Sequence, residues 1–112
     1  MSLKITTTPE FVRQVKRLAK DYRKIHQDLE QLKTELQNNP RAGVDLGHHC
    51  YKVRMPNSSI PTGKRGGFRV VTYYLDHQGT VRLVYIFSKR DQESITDKEL
   101  QEIIARNIPD RK

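Results

Sequence analysis

The sequence predicts an α+β fold in which a small, twisted, mainly antiparallel sheet is packed by helices in the order β-α-α-β-β-β-α. Three observations predict it: apolar residues recur with helical spacing in the first third of the chain, alternate with polar ones in the middle, and return to helical spacing near the C-terminus. With 112 residues and 35% hydrophobic content, the chain suits one small core. We therefore expect residues 1–112 to form a single domain.

The N-terminal third predicts a short strand followed by a helical hairpin. Residues 3–7 alternate and are rich in β-branched side chains, and Thr8 and Pro9 then provide an N-cap and a first helical residue. Two helical stripes of apolar residues follow, Phe11, Val12, Val15, Leu18 and Ala19, then Tyr22, Ile25, Leu29, Leu32 and Leu36. A break near residues 20–21 favours two helices over one long kinked helix, and Pro40 ends the second.

The middle of the chain predicts three strands. Tyr51, Val53 and Met55 alternate with Lys52 and Arg54, which places the two cations on the opposite face of the first of these strands. Residues 56–67 are rich in turn formers and predict a long loop. Residues 68–75 and 81–88 are apolar on both faces, as in central strands, and residues 76–79 suit the connection between them.

The last helix has the clearest local signature. Thr96 and Glu99 stand three apart, as in a capping box, while Ile95 and Leu100 occupy the hydrophobic-staple positions. A helix beginning directly after Thr96 follows from this pattern.

The charge of the chain is concentrated in its middle. The net charge is +8, and residues 41–90 alone hold nine basic groups against two acidic ones. Such a field favours a polyanionic partner, although a solvated basic surface is the alternative. With one cysteine, no apolar run long enough to span a membrane and no signal peptide, we expect a soluble, cytoplasmic protein.

Two local motifs have chemical interpretations that the spacing does not favour. His48, His49 and Cys50 are consecutive, and no second ligand pair at zinc-finger spacing accompanies them, so we expect no metal site and a buried, inert cysteine. Residues 63–67 resemble a phosphate-binding loop only superficially, because a strand follows where a helix should begin. The composition favours a hairpin loop with two exposed cations, and Lys64 and Arg65 of such a loop can still contact the phosphate backbone of RNA.

A set of cations spread over three predicted strands is the stronger candidate for a site: Lys52, Arg54, Arg69, Lys89 and Arg90. Together they could line one concave face, which suits phosphate recognition. Cleavage of RNA would give such a face a mechanism, since the ribose 2′-hydroxyl is the nucleophile. The protein then supplies in-line positioning, cationic stabilisation and proton transfer.

Three segments carry a resemblance to known proteins: Cys50-Tyr51-Lys52-Val53-Arg54, Gly67-Phe68-Arg69-Val70-Val71-Thr72-Tyr73-Tyr74 and Phe87-Ser88-Lys89-Arg90-Asp91. In this order and spacing they resemble the RelE/ParE toxin superfamily. The Gly-Gly-Phe-Arg-Val strand and the Ser-Lys-Arg-Asp-Gln-Glu-Ser-Ile-Thr segment are most similar to its HigB/RelE branch. That family shares the β-α-α-β-β-β-α order, so the resemblance covers nearly the whole chain.

The resemblance implies the toxin of a type II toxin–antitoxin system, a ribosome-dependent mRNA endoribonuclease that uses neither metal nor cofactor. By position, Lys52 would stabilise the transition state, Arg69 would bind the scissile phosphate, and Arg90 would stabilise or protonate the leaving 5′-oxygen. Lys89 would add to RNA binding. A cognate antitoxin is implied as well, in a toxin–antitoxin hetero-oligomer, with the ribosome and mRNA as further partners.

Two positions depart from the family pattern. Arg54 stands where a relative has a lysine general base, and arginine is effectively always protonated. Either Lys52 or a nearby histidine then takes the proton, or catalysis rests on electrostatics and alignment of the 2′-hydroxyl. Thr96 stands at the spacing of a tyrosine, and Tyr73 or Tyr51 would replace its ring in contacting RNA if exposed.

Two alternatives to the nuclease remain at this point. A ParE-like inhibitor of DNA gyrase would share the fold and lack the catalytic cations. A non-catalytic ribosome- or RNA-binding module would use the same cations for affinity alone.

Overall fold

The computed structural model describes residues 3–61 and 67–110 and confirms the α+β class. Its elements, in chain order, are β1 (Lys4–Thr7), α1 (Pro9–Ala19), α2 (Ile25–Asn38), β2 (Val44–Gly47), β3 (Cys50–Met55), β4 (Phe68–Leu75), β5 (Thr80–Ser88) and α3 (Asp97–Asn107). A 3-10 turn at Asp76–Gln78 joins β4 to β5, and Gly79 follows it with φ 60°, as the connection predicted at 76–79 requires.

The sheet has five strands in the order β1-β5-β4-β3-β2. β1 pairs with β5 in parallel, and every other neighbouring pair is antiparallel. β2 was not among the predicted strands. It is a four-residue edge strand, largely exposed, and its two-residue turn to β3 consists of His48 and His49 at φ 55° and 65° instead of the usual glycine or asparagine.

Helices cover the two faces of the sheet unequally. The hairpin of α1 and α2 packs on one face, where the larger apolar core contains Phe11, Ile25, Leu36, Phe68 and Leu83 among its buried members. On the other face, α3 covers a smaller cluster that includes Leu100, Ile103 and Ile104. Beyond the edge of this smaller cluster, the α3 face of the sheet carries polar residues, and the candidate site lies among them.

Local capping places the helices as the sequence predicts. Thr8 accepts the Phe11 N–H at 3.3 Å and begins α1. At α3, the Thr96 N–H donates to the Glu99 carboxylate at 2.8 Å, and the Glu99 N–H donates to the Thr96 hydroxyl at 3.1 Å. Each contact satisfies a backbone N–H that a helix start would otherwise leave without a partner.

A buried glutamine joins α1 to the edge of β5. β1 ends at Thr7, opposite Leu83, so the part of β5 beyond that point has no strand on this side. Gln14, 6% exposed, accepts the Ile86 N–H at 2.9 Å and completes the edge. A buried N–H without this partner would cost about 1–3 kcal/mol.

Within residues 3–61 and 67–110, no helix has both the length and the apolar character needed to cross a membrane.

Candidate functional site

The strand register brings the predicted cations together. Arg54 of β3 pairs with Arg69 of β4, and Lys52 pairs with Val71 two residues away. Residues directly opposite in an antiparallel pair share a face of the sheet, as do residues two apart along a strand. Lys52, Arg54 and Arg69 therefore occupy adjacent positions on the α3 side of the sheet, and we refer to these three residues as the cation face.

A close backbone approach stabilises this register. Gly67 precedes β4, and a Cβ placed on it would lie 2.3 Å from the carbonyl oxygen of Met55, at the end of β3. Only glycine allows the two chains to meet there. The glycine before Phe68 in the Gly-Gly-Phe-Arg-Val motif thus has a structural role, since it lets β4 start opposite Met55 and places Arg69 opposite Arg54.

Arg69 is the most buried cation of the site. It is 6% exposed, and its guanidinium donates to the Phe68 carbonyl at 3.2 Å. Burial lowers its pKa, and the charge of Arg54 lowers the pKa further. Its guanidinium is thus partly shielded from water by the protein and close to a second positive charge, an environment that favours binding of an anion.

Lys89 and Arg90 follow the end of β5, at the same end of the sheet as Arg69. Ser88, 2% exposed, anchors the turn because its backbone carbonyl accepts the N–H groups of Asp91 and Gln92 and its hydroxyl accepts that of Arg90. Arg90 is exposed. The Lys89 ammonium, by contrast, contacts Glu93, at 2.6 Å from its carbonyl and 3.3 Å from its carboxylate.

Several arginines outside the site form salt bridges, whereas three cations of the site form none in the part of the chain that the structure describes. Arg41, Arg82 and Arg106 form salt bridges with Asp76, Asp110 and Glu10 respectively. Among the residues that the structure describes, no acidic side chain forms a salt bridge with Lys52, Arg54 or Arg90. Arg54 also lines a 200 Å³ cavity with Asp28 and Glu35, but the Asp28 carboxylate accepts the backbone N–H and the hydroxyl of Ser58.

The aromatic residues are arranged differently from the sequence expectation. Tyr73 is 3% exposed, in the cluster under α3, with His49 and Arg82 against its ring. This burial removes Tyr73 from the candidate RNA contacts. Tyr51 lies on the opposite face of the sheet, beside Tyr74, and is therefore not part of the cation face. Lys64 and Arg65 lie outside the described residues.

Two aromatic residues that the sequence did not single out lie beside the cation face. Phe87 pairs with Arg69, and Tyr85 pairs with Val71, so both share the face of Lys52 and Arg54. A bulge at Val84 shifts the alternation of β5 by one residue, between the pairs Val71–Tyr85 and Thr72–Leu83. Nothing in the local sequence signals that bulge, and strict alternation does not reveal which residues of β5 face the cations.

The His48-His49-Cys50 run does not converge on one point. His48 lies 3.4 Å from the Asp97 carboxylate at the start of α3, His49 packs edge-on against Tyr73, and Cys50 is fully buried. Burial raises the pKa of the Cys50 thiol to about 12, with a further contribution from Asp45. Such a thiol remains protonated near neutral pH and is a poor nucleophile.

The fold and the site define a small basic α+β protein whose cation face suits a phosphate-bearing partner. Comparison with known proteins gives the family. The model of the RelE toxin of the RelE/RelB toxin–antitoxin system matches residues 11–108, and the chain therefore belongs to the RelE toxin family. Membership implies an antitoxin partner.

Among solved structures, the free-state E. coli toxin RelE with two arginines replaced by alanine superposes with a TM-score of 0.62. The alignment covers 95% of this chain and 98% of that one at 16% identity, and it shows that the two share a fold. No curated protein matches the chain.

Proposed function

We propose that the chain is a ribosome-dependent mRNA endoribonuclease, the toxin of a cytoplasmic toxin–antitoxin pair. The observation that carries the proposal is the register of β3 and β4, which places Lys52, Arg54 and Arg69 side by side on one face. Arg90 follows β5 at the same end of the sheet. A cluster of positive charges is what an RNA phosphodiester needs as it gains negative charge in the transition state.

Each cation of the site has its own role in the cleavage reaction. Arg69 binds the scissile phosphate, because a guanidinium matches two phosphate oxygens with paired N–H donors in a fixed fork. The 2′-oxygen attacks phosphorus and the bond to the 5′-oxygen breaks, which leaves a 2′,3′-cyclic phosphate and a 5′-hydroxyl. Arg54 stabilises the charge on the phosphorane oxygens, and Arg90 stabilises the departing 5′-oxygen, which takes its proton from water.

Lys52 is the group that we assign to removal of the 2′-hydroxyl proton. An arginine stays protonated, so Arg54 and Arg69 cannot act as bases. His48 and His49 belong to the turn at the far end of β3 from Arg54, and they contact Asp97 and Tyr73. Acceptance of the proton leaves a positive charge on Lys52 beside the phosphate, so one residue removes the proton and then stabilises the product charge.

The antitoxin is proposed to neutralise the same surface. The chain carries a net charge of +8, and Lys52, Arg54 and Arg90 form no salt bridge within the described residues. In a toxin–antitoxin hetero-oligomer, an acidic antitoxin segment would complement this charge and would also block access of RNA to the cation face.

Primer extension on mRNA in a reconstituted translation system tests the proposal. Wild-type protein should produce cuts at codon-associated positions, and Arg69→Ala or Arg90→Ala should reduce the cleavage rate at least tenfold, about 1.4 kcal/mol in the barrier. Arg23→Ala is the matched control, because Arg23 is an exposed arginine in the turn between α1 and α2. It should cut like the wild type.

Other outcomes would favour other functions. Unchanged cutting by both arginine variants would contradict the site. Ribosome binding without cleavage would indicate the binding module, and inhibited gyrase supercoiling with intact mRNA would indicate the ParE-like activity. Cleavage on pre-assembled complexes should also survive brief chelation, whereas a need for an added metal ion at the chemical step would overturn the mechanism.

A further inference from the structure

The cation face is bordered by a pair of aromatic side chains on β5. Two rows run across the sheet from β3 to β5: Arg54, Arg69 and Phe87 form one, and Lys52, Val71 and Tyr85 form the other. Positive charge thus occupies both β3 positions and one of the two β4 positions, and aromatic rings occupy both β5 positions. Neighbouring strands are about 4.8 Å apart, so the rings lie one strand spacing from the Arg69 and Val71 backbone.

Tyr85 is the accessible member of this pair. It is half-buried, whereas Phe87 is only 5% exposed. The two ring centroids are 6.1 Å apart and the ring planes are inclined by 51°, so Phe87 supports the Tyr85 ring from the side. The Tyr85 hydroxyl lies 3.5 Å from the Gln92 side-chain oxygen, and Gln92 is held in turn because its amide donates to the Ser94 carbonyl at 2.9 Å.

Tyr85 packs against the apolar cluster under α3 on one side and borders the cation face on the other. Its cross-strand partner is Val71, a small residue that is fully buried, and the next position across the sheet is Lys52. The bulge at Val84 brings Tyr85 to this face, since without it the alternation from Tyr73 and Arg82 would direct residue 85 to the other face. The result is a ring fixed beside a cation face.

We propose that Tyr85, supported by Phe87, forms a stacking site for a nucleobase of single-stranded RNA whose phosphate lies on the cation face. The inference rests on the proposed function, because it takes RNA as the ligand of Lys52, Arg54 and Arg69. Proteins that hold single strands combine a cationic track with aromatic rings on which bases stack. Every base has a π face, so the site positions the nucleotide beside the phosphate and accepts purines and pyrimidines alike.

Fluorescence of 2-aminopurine in programmed ribosomes tests this site. The fluorescent base is placed in turn at each position of the A-site codon, in an mRNA with a 2′-deoxy nucleotide at the cut position so that binding is measured without cleavage. Wild-type protein should quench one position, and Tyr85→Leu should lose that quenching and weaken binding about 5-fold to 100-fold. Tyr85→Phe should restore both, because it keeps the ring.

Tyr74→Leu is the matched control, since Tyr74 is a partly buried tyrosine of the same sheet on the opposite face. It should bind and quench like the wild type. If Tyr85→Leu does not fold, Tyr85→Trp serves instead, because the larger ring should deepen the quenching and tighten binding. A folded Tyr85→Leu with unchanged quenching, or a Tyr85→Trp with unchanged quenching and affinity, would overturn the stacking site.

Cleavage of unmodified mRNA by the wild type separates this inference from the proposed function. Cleavage without any quenching that depends on Tyr85 would refute the stacking site and leave the nuclease in place. Quenching that depends on Tyr85 without cleavage would support the stacking site and refute the nuclease. Absence of both would refute both.

Discussion

Arg54 should weaken the fold while it serves the site, and its removal tests that trade-off. Arg54 lies directly opposite Arg69, and its charge contributes to the lowered pKa of Arg69. Like charges directly opposite in a sheet are destabilising. Two charges about 6 Å apart would repel by about 2.8 kcal/mol at an effective dielectric of 20 and about 0.7 kcal/mol in water. Because Arg54 is exposed, the repulsion between the two charges is close to the value in water, about 0.7 kcal/mol.

We therefore expect Arg54→Gln to raise the free energy of unfolding by about 0.5–1 kcal/mol in low salt. Urea unfolding followed by circular dichroism measures this, and the midpoint should rise by a few tenths molar at an m-value of about 1–3 kcal/mol/M. In 1 M salt the Debye length is about 3 Å, so most of the gain should disappear. The same variant should cleave mRNA at least tenfold more slowly.

Arg23→Gln is the matched control, because it removes the same charge from the turn between the helices. It should change stability by less than about 0.5 kcal/mol. A loss of stability in Arg54→Gln, or a gain that is equal in low and high salt, would refute the argument that charge repulsion across β3 and β4 is built into the site.

Two further predictions concern contacts away from the cation face. Gln14→Ala should lower the free energy of unfolding by about 1–3 kcal/mol, because it leaves the Ile86 N–H buried without its partner. The control Gln101→Ala, on the exposed side of α3, should change the free energy of unfolding by less than about 0.5 kcal/mol. Equal changes in the two variants would contradict this role of Gln14. Arg82 lowers the pKa of Asp110 to about 2. The ion pair therefore stabilises the fold fully at pH values above the ordinary carboxyl pKa, and this stabilisation is lost as the pH falls through about 2. An NMR titration should show this pKa returning toward 3.8 in Arg82→Gln, and an unchanged titration would refute the pairing.

The sequence predicts the helices and long strands because their periodicity reflects burial directly. The apolar residues predicted for α1 and α2 at positions such as Phe11, Ile25 and Leu36 do form the core on one face of the sheet. The sequence does not predict β2, because this strand is short and exposed. Its turn to β3 consists of two histidines at positive φ, so no glycine or asparagine signals that turn.

The candidate site was predictable in part. Alternation placed Lys52 and Arg54 on one face of a strand, but their register with Arg69 depends on Gly67 meeting the backbone of Met55, a contact that no local pattern encodes. Tertiary placement also decides which aromatic residues are accessible. α3 covers Tyr73, while the bulge in β5 brings Tyr85 to the cation face.

In the proposed mechanism the cation face promotes attack by the ribose 2′-hydroxyl on the adjacent phosphate, and analysis of the cleavage products tests this step. Ribosomes are programmed with mRNA that has either a ribose or a 2′-deoxyribose at the cut position, and single-turnover cleavage is followed with analysis of the product ends. We expect a 2′,3′-cyclic phosphate and a 5′-hydroxyl from the ribose substrate, and no cut at the deoxy position. Cleavage at the deoxy position, or a 5′-phosphate on the downstream fragment, would contradict it.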